Sequence, residues 1–300
     1  MRWTAVVNPT AGRGRTRRML PSLSSALTGP GLEVDLHVAR DVADLRAAAA
    51  DAFTAGRGVI ACGGDGTVSV LAGVAAEADG LLAIVPTGAG NDFARALGIR
   101  RRHPTDAIDV LRTGRESRVD LGKVNGQWFS SVANTGFDAE VNRWANGVRR
   151  VGGTALYVAG ALRTLAVYRP RRFAVRVDDE APRELEAWLL AAGNSAFYGG
   201  GMRIVPDARL DDGCLDLCIV GASSPTAFIT NFPRVFRGTH LQHPAVSVVR
   251  GRRFEIHSLD PRPMDVYASG ELIGPLPARL EAAPGALRVM VPGGSTAPGP

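Results

Sequence analysis

Gly63-Gly64-Asp65-Gly66-Thr67 follows the apolar run Val59-Ile60-Ala61-Cys62 and precedes a helix-like stretch at residues 68–78. That order predicts a buried strand, a glycine turn and a helix start. Gly63, Gly64 and Gly66 carry no Cβ where a backbone must turn sharply and let a ligand approach. The helix N-terminus beyond them presents unpaired N–H groups that suit phosphate. Asp65 adds chemistry, because a carboxylate beside bound phosphates is repelled unless Mg²⁺, a proton or a reacting hydroxyl stands between them. The combination points to phosphoryl transfer. The competing reading is an ordinary strand-to-helix turn with a solvated Asp65, since short glycine motifs recur by accident.

Two further loops of the same kind precede and follow it. Asn8-Pro9-Thr10-Ala11-Gly12-Arg13-Gly14-Arg15 comes after a β-prone run at residues 3–7, and Pro86-Thr87-Gly88-Ala89-Gly90 comes after an apolar run at residues 81–85. Helices are predicted at residues 17–27 and 42–54, a strand at 32–38, and a helix at 92–97 with Asn91 as its N-cap. Strands that alternate with helices predict a doubly wound parallel sheet covered on both faces, with ligands bound beyond the carboxyl ends of the strands. Three glycine loops then share one edge of one sheet.

After a helix at residues 106–111 the pattern changes to short β-type runs at 118–124, 127–132, 173–177, 186–192, 215–220, 246–249 and 254–257. This predicts a second, mainly antiparallel domain with the boundary near Leu121. A helical stretch at 154–168 is flanked by Arg149, Arg150, Arg163, Arg169, Arg171 and Arg172. It suits either an anionic membrane surface or a sheet-packed helix with solvated arginines. A last strand is expected at 286–291, followed by a disordered Gly/Pro/Ser tail.

With 300 residues, 45% hydrophobic and 21% charged, the chain has ordinary globular composition and enough length for two cores. The net charge of +6 favours anionic lipid or nucleotide, but no RNP-like aromatic motif, zinc-finger spacing or basic heptad helix supports nucleic acid as a partner. Three cysteines, Cys62, Cys214 and Cys218, fit a reduced cytosol better than a disulfide framework. Met1-Arg2-Trp3 leads straight into a strand, so no cleavable signal is expected, and no apolar run reaches the length of a membrane span.

Arg209-Leu210-Asp211-Asp212-Gly213-Cys214 sets two carboxylates in a tight turn between apolar runs. Carboxylate, turn carbonyls and water suit Mg²⁺, although a metal-free hairpin turn has the same composition. Ser269-Gly270-Glu271 says little alone, and His240 and His243 read as structural because nothing nearby completes a metal set.

Taken together these stretches resemble the diacylglycerol kinase and sphingosine kinase superfamily, in particular the small bacterial lipid kinases. The matching segments are Asn8-Pro9 with Gly12 to Gly14, GGDGTV from Gly63, PTGAGNDFA from Pro86, NTGFDAEV from Asn134, the long block from Gly193 to Asp216, and Gly270-Glu271. GGDGT is shared with NAD kinases and phosphofructokinases, whereas the block from Gly193 is particular to the lipid branch. The resemblance implies an α/β nucleotide domain at residues 1–121, completed by a C-terminal strand at about 285–293, and a β-sandwich lipid-substrate domain at 122–284, with residues 294–300 as tail.

It also implies contacts to ATP at Asn8, at Gly63, Gly64, Asp65, Gly66, Thr67, Val68 and Ser69, and at Gly88, Ala89, Asn91 and Asp92. A structural Mg²⁺ is implied at Asp212 with the carbonyls of Arg209 and Cys214, and Glu271 matches the family's general base, with Asp65 as the competing candidate. The implied activity is transfer of the γ-phosphoryl group of ATP to a membrane lipid alcohol, diacylglycerol first, by a cytoplasmic protein peripheral to the inner membrane surface. A homodimer is among the expectations. A sphingoid-type lipid or NAD as acceptor, or a nucleotide- or lipid-binding protein without turnover, are the alternatives. The chain departs from the family pattern at Ala39, Ala89 and Ser269, where Thr, Thr and Asp are usual.

Overall fold

The computed structural model describes residues 1–29, 31–99, 104–141, 164 and 168–294. In the first half, strands β1 (Arg2–Val7), β3 (Gly58–Gly63) and β4 (Leu81–Pro86) are buried almost along their whole length, as strands covered on both faces must be. β2 (Glu33–Val38) lies at the sheet edge and leaves Leu36 and Val38 exposed. The order β4-β3-β1-β2 is parallel throughout, with Ala5 opposite Ile60 and Ile60 opposite Ala83.

The crossovers are α1 (Ala11–Leu27), α2 (Val42–Thr54) and α3 (Asp65–Ala78), followed by α4 (Asp92–Ala96) and α5 (Pro104–Thr113). α2 starts where the side chain of Asp41 accepts from Asp44 N at 2.8 Å, and it buries Leu45, Ala49 and Ala52, which share one helical face. α1 is irregular in its first turn because Gly12, Arg13 and Gly14 all have positive φ, so the regular helix begins close to the expected residue 17.

The second half is antiparallel. Its strands are β5 (Arg115–Val124), β6 (Gln127–Phe129), β7 (Val132–Gly136), β8 (Arg171–Val177), β9 (Arg183–Gly193), β10 (Phe197–Tyr198), β11 (Met202–Arg203), β12 (Leu215–Gly221), β13 (Val246–Gly251), β14 (Arg253–Ser258), β15 (Asp265–Ala268), β16 (Glu271–Pro275) and β17 (Ala278–Val291). Two apolar clusters fill it, one around Phe129, Phe173, Leu190 and Phe254, the other around Phe137, Trp188, Val205 and Val235. α6 (Pro225–Asn231) and a 3-10 segment, Phe232–Arg237, cover the second cluster.

Two expected strands differ. The run expected at 127–132 is split into β6 and β7 because the backbone N–H groups of Ser130 and Ser131 turn away to the hydroxyl of Ser269, each at 3.4 Å. The last strand begins at Ala278 rather than residue 286, because a bulge between Ala283 and Leu287 absorbs Pro284 and Gly285, which read as a turn. β17 therefore runs through both halves. It pairs with β14 through Ala278 to Glu281 and lies parallel to β4 at Arg288 and Val289. The helix expected at 154–168 lies almost entirely outside the described residues, and so does the tail from residue 295.

Candidate active site

The three glycine loops meet. Gly63 O accepts from Thr87 N at 2.9 Å and Gly88 N at 3.2 Å, which staples the loop after β3 to the loop after β4. A Cβ on Gly88 would overlap the Cα of Gly64, and one on Gly12 would come 2.8 Å from Thr87 O. The glycines are thus required for backbone-to-backbone contact as well as for access. Asn8 completes the junction: its Nδ2 donates to Thr67 Oγ1 at 2.9 Å and its Oδ1 accepts from Thr10 N at 3.0 Å.

Asp65 has a different job from the one its place in the motif suggests. Its Oδ2 accepts from Asn91 N at 2.6 Å, and its Oδ1 accepts from Asp92 N at 2.6 Å and Phe93 N at 3.3 Å. The carboxylate therefore caps α4. Asn91, expected to cap that helix, sits at φ 54° and makes no capping bond. Its amide instead brackets Gly88, with Oδ1 accepting from Gly88 N at 3.0 Å and Nδ2 donating to Gly88 O at 2.9 Å. Asp92 is buried and reaches the second half of the chain, accepting from Gly200 N at 2.7 Å and Arg95 Nη1 at 2.7 Å.

Beside the loops lies a cleft of about 520 Å³. Asn8, Gly64, Gly66, Thr67, Ser69, Gly88, Ala89 and Glu271 line it, whereas Val68 turns into the core at 3% exposure. Asp65, Asn91 and Asp92 stand behind the wall and position it. Glu271 opens β16 after a turn in which Ser269 and Gly270 have φ 48° and 87°, and its Oε1 lies 3.2 Å from where a Cβ of Gly66 would stand. A carboxylate from the antiparallel half thus faces the first turn of α3.

Among the cleft residues that sequence reasoning missed are Val42, Arg46, Glu77 and Trp128. Trp128 Nε1 donates to Glu77 Oε1 at 3.1 Å, Lys123 Nζ sits 4.0 Å from the indole centre, and a Cβ on Gly73 would come 2.9 Å from the ring. Gly73 inside α3 was the available signal, since glycine within a helix marks close approach by another element. Nothing in the sequence identifies Trp128 as that element.

Arg209, Asp212 and Cys214 lie elsewhere, in the turn before β12. Asp212 Oδ1 accepts from Cys214 N at 3.0 Å, and its buried Oδ2 has no hydrogen-bond donor. Arg250 Nη2 is 3.3 Å from that oxygen, close enough to pair in charge although not aligned as a hydrogen bond, and Arg250 Nε reaches Asp216 at 3.1 Å. Asp120 ties this turn to the β17 bulge by accepting from Gly213 N and Gly285 N, both at 2.7 Å. Burial first, and then neighbouring carboxylates that include Asp212, raise the carboxyl groups of Asp120 and Asp216 above their ordinary value.

A smaller cavity of about 50 Å³, mostly apolar, is walled by Phe137, Leu189, Tyr198, Phe228, Val235 and His240. Burial and then the carboxylates of Asp138 and Asp92 raise the Tyr198 phenol well above its ordinary value, so this cavity backs onto the Asp92 end of α4.

Comparison with known proteins agrees with this arrangement. The model of the diacylglycerol kinase catalytic domain matches residues 2–124, and that of the YegS C-terminal NAD kinase beta sandwich-like domain matches residues 131–291. A diacylglycerol kinase of Mycobacterium tuberculosis is 36% identical over 96% of this chain and 94% of its own length. The chain belongs to the diacylglycerol kinase family. Another member of that family, the diacylglycerol kinase of Bacillus subtilis, is 29% identical over 92% of this chain and 91% of its own. A solved structure from Bacillus anthracis shares the fold, with a TM-score of 0.77 at 23% identity over 97% of this chain and 95% of that one. The expected α/β domain followed by an antiparallel β domain is thus the family's architecture.

Proposed function

We propose that this diacylglycerol kinase family member transfers the γ-phosphoryl group of ATP to the free hydroxyl of diacylglycerol, giving phosphatidic acid and ADP. The observation that carries the reading is Glu271 Oε1 set against Gly66, at the helix terminus where the phosphate-binding loops converge. The triphosphate lies along Gly64, Gly66 and Gly88, which let it approach closely, and the N-terminus of α3 offsets its charge. Glu271 takes the proton of the acceptor hydroxyl as its oxygen attacks the γ-phosphorus and the bond to ADP breaks. Asp65 serves as a positioning residue, because its two oxygens hold the 91–93 backbone and through Asn91 the Gly88 peptide.

Mg²⁺, when bound with ATP, would supply positive charge to the phosphoryl oxygens. A second, structural cation would be held at the turn of Asp212, whose buried Oδ2 lacks a donor, with the carbonyls of Arg209 and Cys214 as the further ligands that the family resemblance implies. Arg250 supplies part of that positive charge already, so the ion and the guanidinium share one role.

A bilayer lipid as acceptor would place the protein at the cytoplasmic membrane surface. No helix among the described residues is long and apolar enough to cross a membrane. The test is a radiolabelled ATP assay against diacylglycerol, a sphingoid base and NAD. Label in the lipid phosphate of diacylglycerol is the expected result, and label in NAD alone would overturn the reading.

A further inference from the structure

α6 and the 3-10 segment after it have two faces. Phe228 and Val235 point inward, where the Phe228 ring stacks on Trp188 at 4.8 Å and meets Phe137 edge-on at 4.9 Å. Ile229, Phe232 and Phe236, spaced three and four residues apart, are 43%, 37% and 51% exposed. Large apolar side chains left in water on one short element are costly unless something covers them. The element is also fixed in place. Ser224 caps α6 by accepting from Ala227 N at 3.2 Å, Asn231 Nδ2 donates to His240 O at 3.3 Å, and Gly238 ends the segment at φ 72°, hard against Pro206.

The charged residues of the element itself are both arginines. Arg234 and Arg237 are exposed and have no ion-pair partner among the described residues. Between Asp216 and Glu255 the sequence has no acidic residue; of the arginines there, Arg250 pairs with Asp212 and Asp216 and Arg253 with Asp179, which leaves Arg234 and Arg237 as the cations of this element. A protein partner that covered the apolar residues would have to supply matching carboxylates. An anionic bilayer supplies both needs at once, headgroup charge for the arginines and an acyl boundary for Ile229, Phe232 and Phe236.

The inner face of the same element is a wall of the apolar cavity, which Phe228, Phe232 and Val235 line. Phe232 belongs to both surfaces, exposed on one side and lining the cavity on the other. We infer that the element from Pro225 to Arg237 is a membrane-docking device. It inserts Ile229, Phe232 and Phe236 at the surface of an anionic bilayer and brings the cavity wall at Phe232 to the lipid from which an acceptor is drawn. The role given to the cavity rests on the lipid kinase reading, whereas docking itself does not.

The test uses the full chain, without ATP or diacylglycerol, in sedimentation with vesicles of phosphatidylcholine alone or mixed with phosphatidylglycerol. Ile229→Ser combined with Phe236→Ser, neither of which lines the cavity, is expected to weaken binding to both vesicles by about tenfold or more. Arg234→Glu with Arg237→Glu should weaken binding to the phosphatidylglycerol vesicles alone, again by about tenfold or more, with the difference vanishing in high salt. Both variants should melt like the native protein and keep its turnover of a water-soluble short-chain diacylglycerol. Native-like vesicle binding by either variant overturns the inference. So does a change from dimer to monomer in the Ile229/Phe236 variant, which would mean that a second copy covers the patch. Absence of turnover on the short-chain acceptor by the native protein sinks the kinase reading and leaves the vesicle result standing.

Discussion

The carboxylate of Glu271 and the backbone of Gly66 come from opposite halves of the molecule, yet Glu271 Oε1 lies 3.2 Å from the position a Cβ on Gly66 would take. The two halves of the proposed chemistry, phosphate binding and proton removal, are thus set at contact distance by β16 and α3.

Glu271→Gln keeps the shape and removes the base. It should lower kcat by about 10² or more while the KM for ATP stays near the native value. Unchanged turnover would remove Glu271 from the chemistry, and weakened ATP binding would move it to the nucleotide side.

Gly88→Ala drives a methyl group into the Cα of Gly64 and forces the two phosphate loops apart. A loss of about 1–3 kcal/mol in stability is expected, with nucleotide affinity falling in parallel. Native affinity in a calorimetric titration would show that the loops do not form the phosphate site.

Asp65→Asn turns an acceptor for three backbone N–H groups into a group with one oxygen. The variant should lose about 1–3 kcal/mol of stability as well as turnover, because a buried donor loses its partner. A native melting curve with abolished turnover would instead give Asp65 a direct part in the reaction.

Asp212→Ala should lower the melting temperature and remove any Mg²⁺ dependence of melting in the absence of nucleotide, since a ligand bound only by the native state stabilises it. Arg250→Met should do the reverse and steepen that dependence, because the competing guanidinium is gone. If the native protein and the Arg250 variant both melt alike in Mg²⁺ and in chelator, no structural ion binds at this turn.

His240 predicts a pH response. Burial lowers its imidazole below the ordinary value of 6.5, its Nε2 lies 3.0 Å from Ile204 O, and its Nδ1 has no partner. In that window the unfolded chain binds the proton more readily than the folded one, so the stability present above the ordinary value is lost as pH falls below it. Melting temperature should therefore drop from about pH 7 to about pH 5 more steeply in the native protein than in His240→Gln. Parallel slopes would show that His240 contributes nothing to the acid loss.

What could be read in advance was local. The buried runs of β1, β3 and β4 and the glycine loops announce themselves within a few residues, through hydrophobicity and turn chemistry, whereas the cap expected at Asn91 makes no capping bond. What could not be read depends on residues far apart in sequence. Asp65 looks solvated or catalytic beside its own glycines, and only the arrival of residues 91–93 makes it a cap. Trp128 is an ordinary hairpin residue until it settles on Gly73, and Pro284-Gly285 is a turn until β5 and Asp120 hold it as a bulge. Ser269 takes its backbone conformation at φ 48° and accepts weakly from Ser130 and Ser131, so the departure from Asp in the family pattern leaves the turn before Glu271 intact.

β17 has a consequence for the order in which the molecule is made. Its Arg288 and Val289 close the open edge of β4, and the same strand runs beside β5 from Arg115 to Val124. While the chain is growing from the ribosome, the half with the glycine loops emerges before β17 and waits with the β4 edge bare until more than 150 further residues have followed Val124. Closing that edge is a contact of high sequence separation and so a slow one. A nascent chain that stalls before Ala278 would carry all three glycine loops on a sheet whose β4 edge is still unpaired.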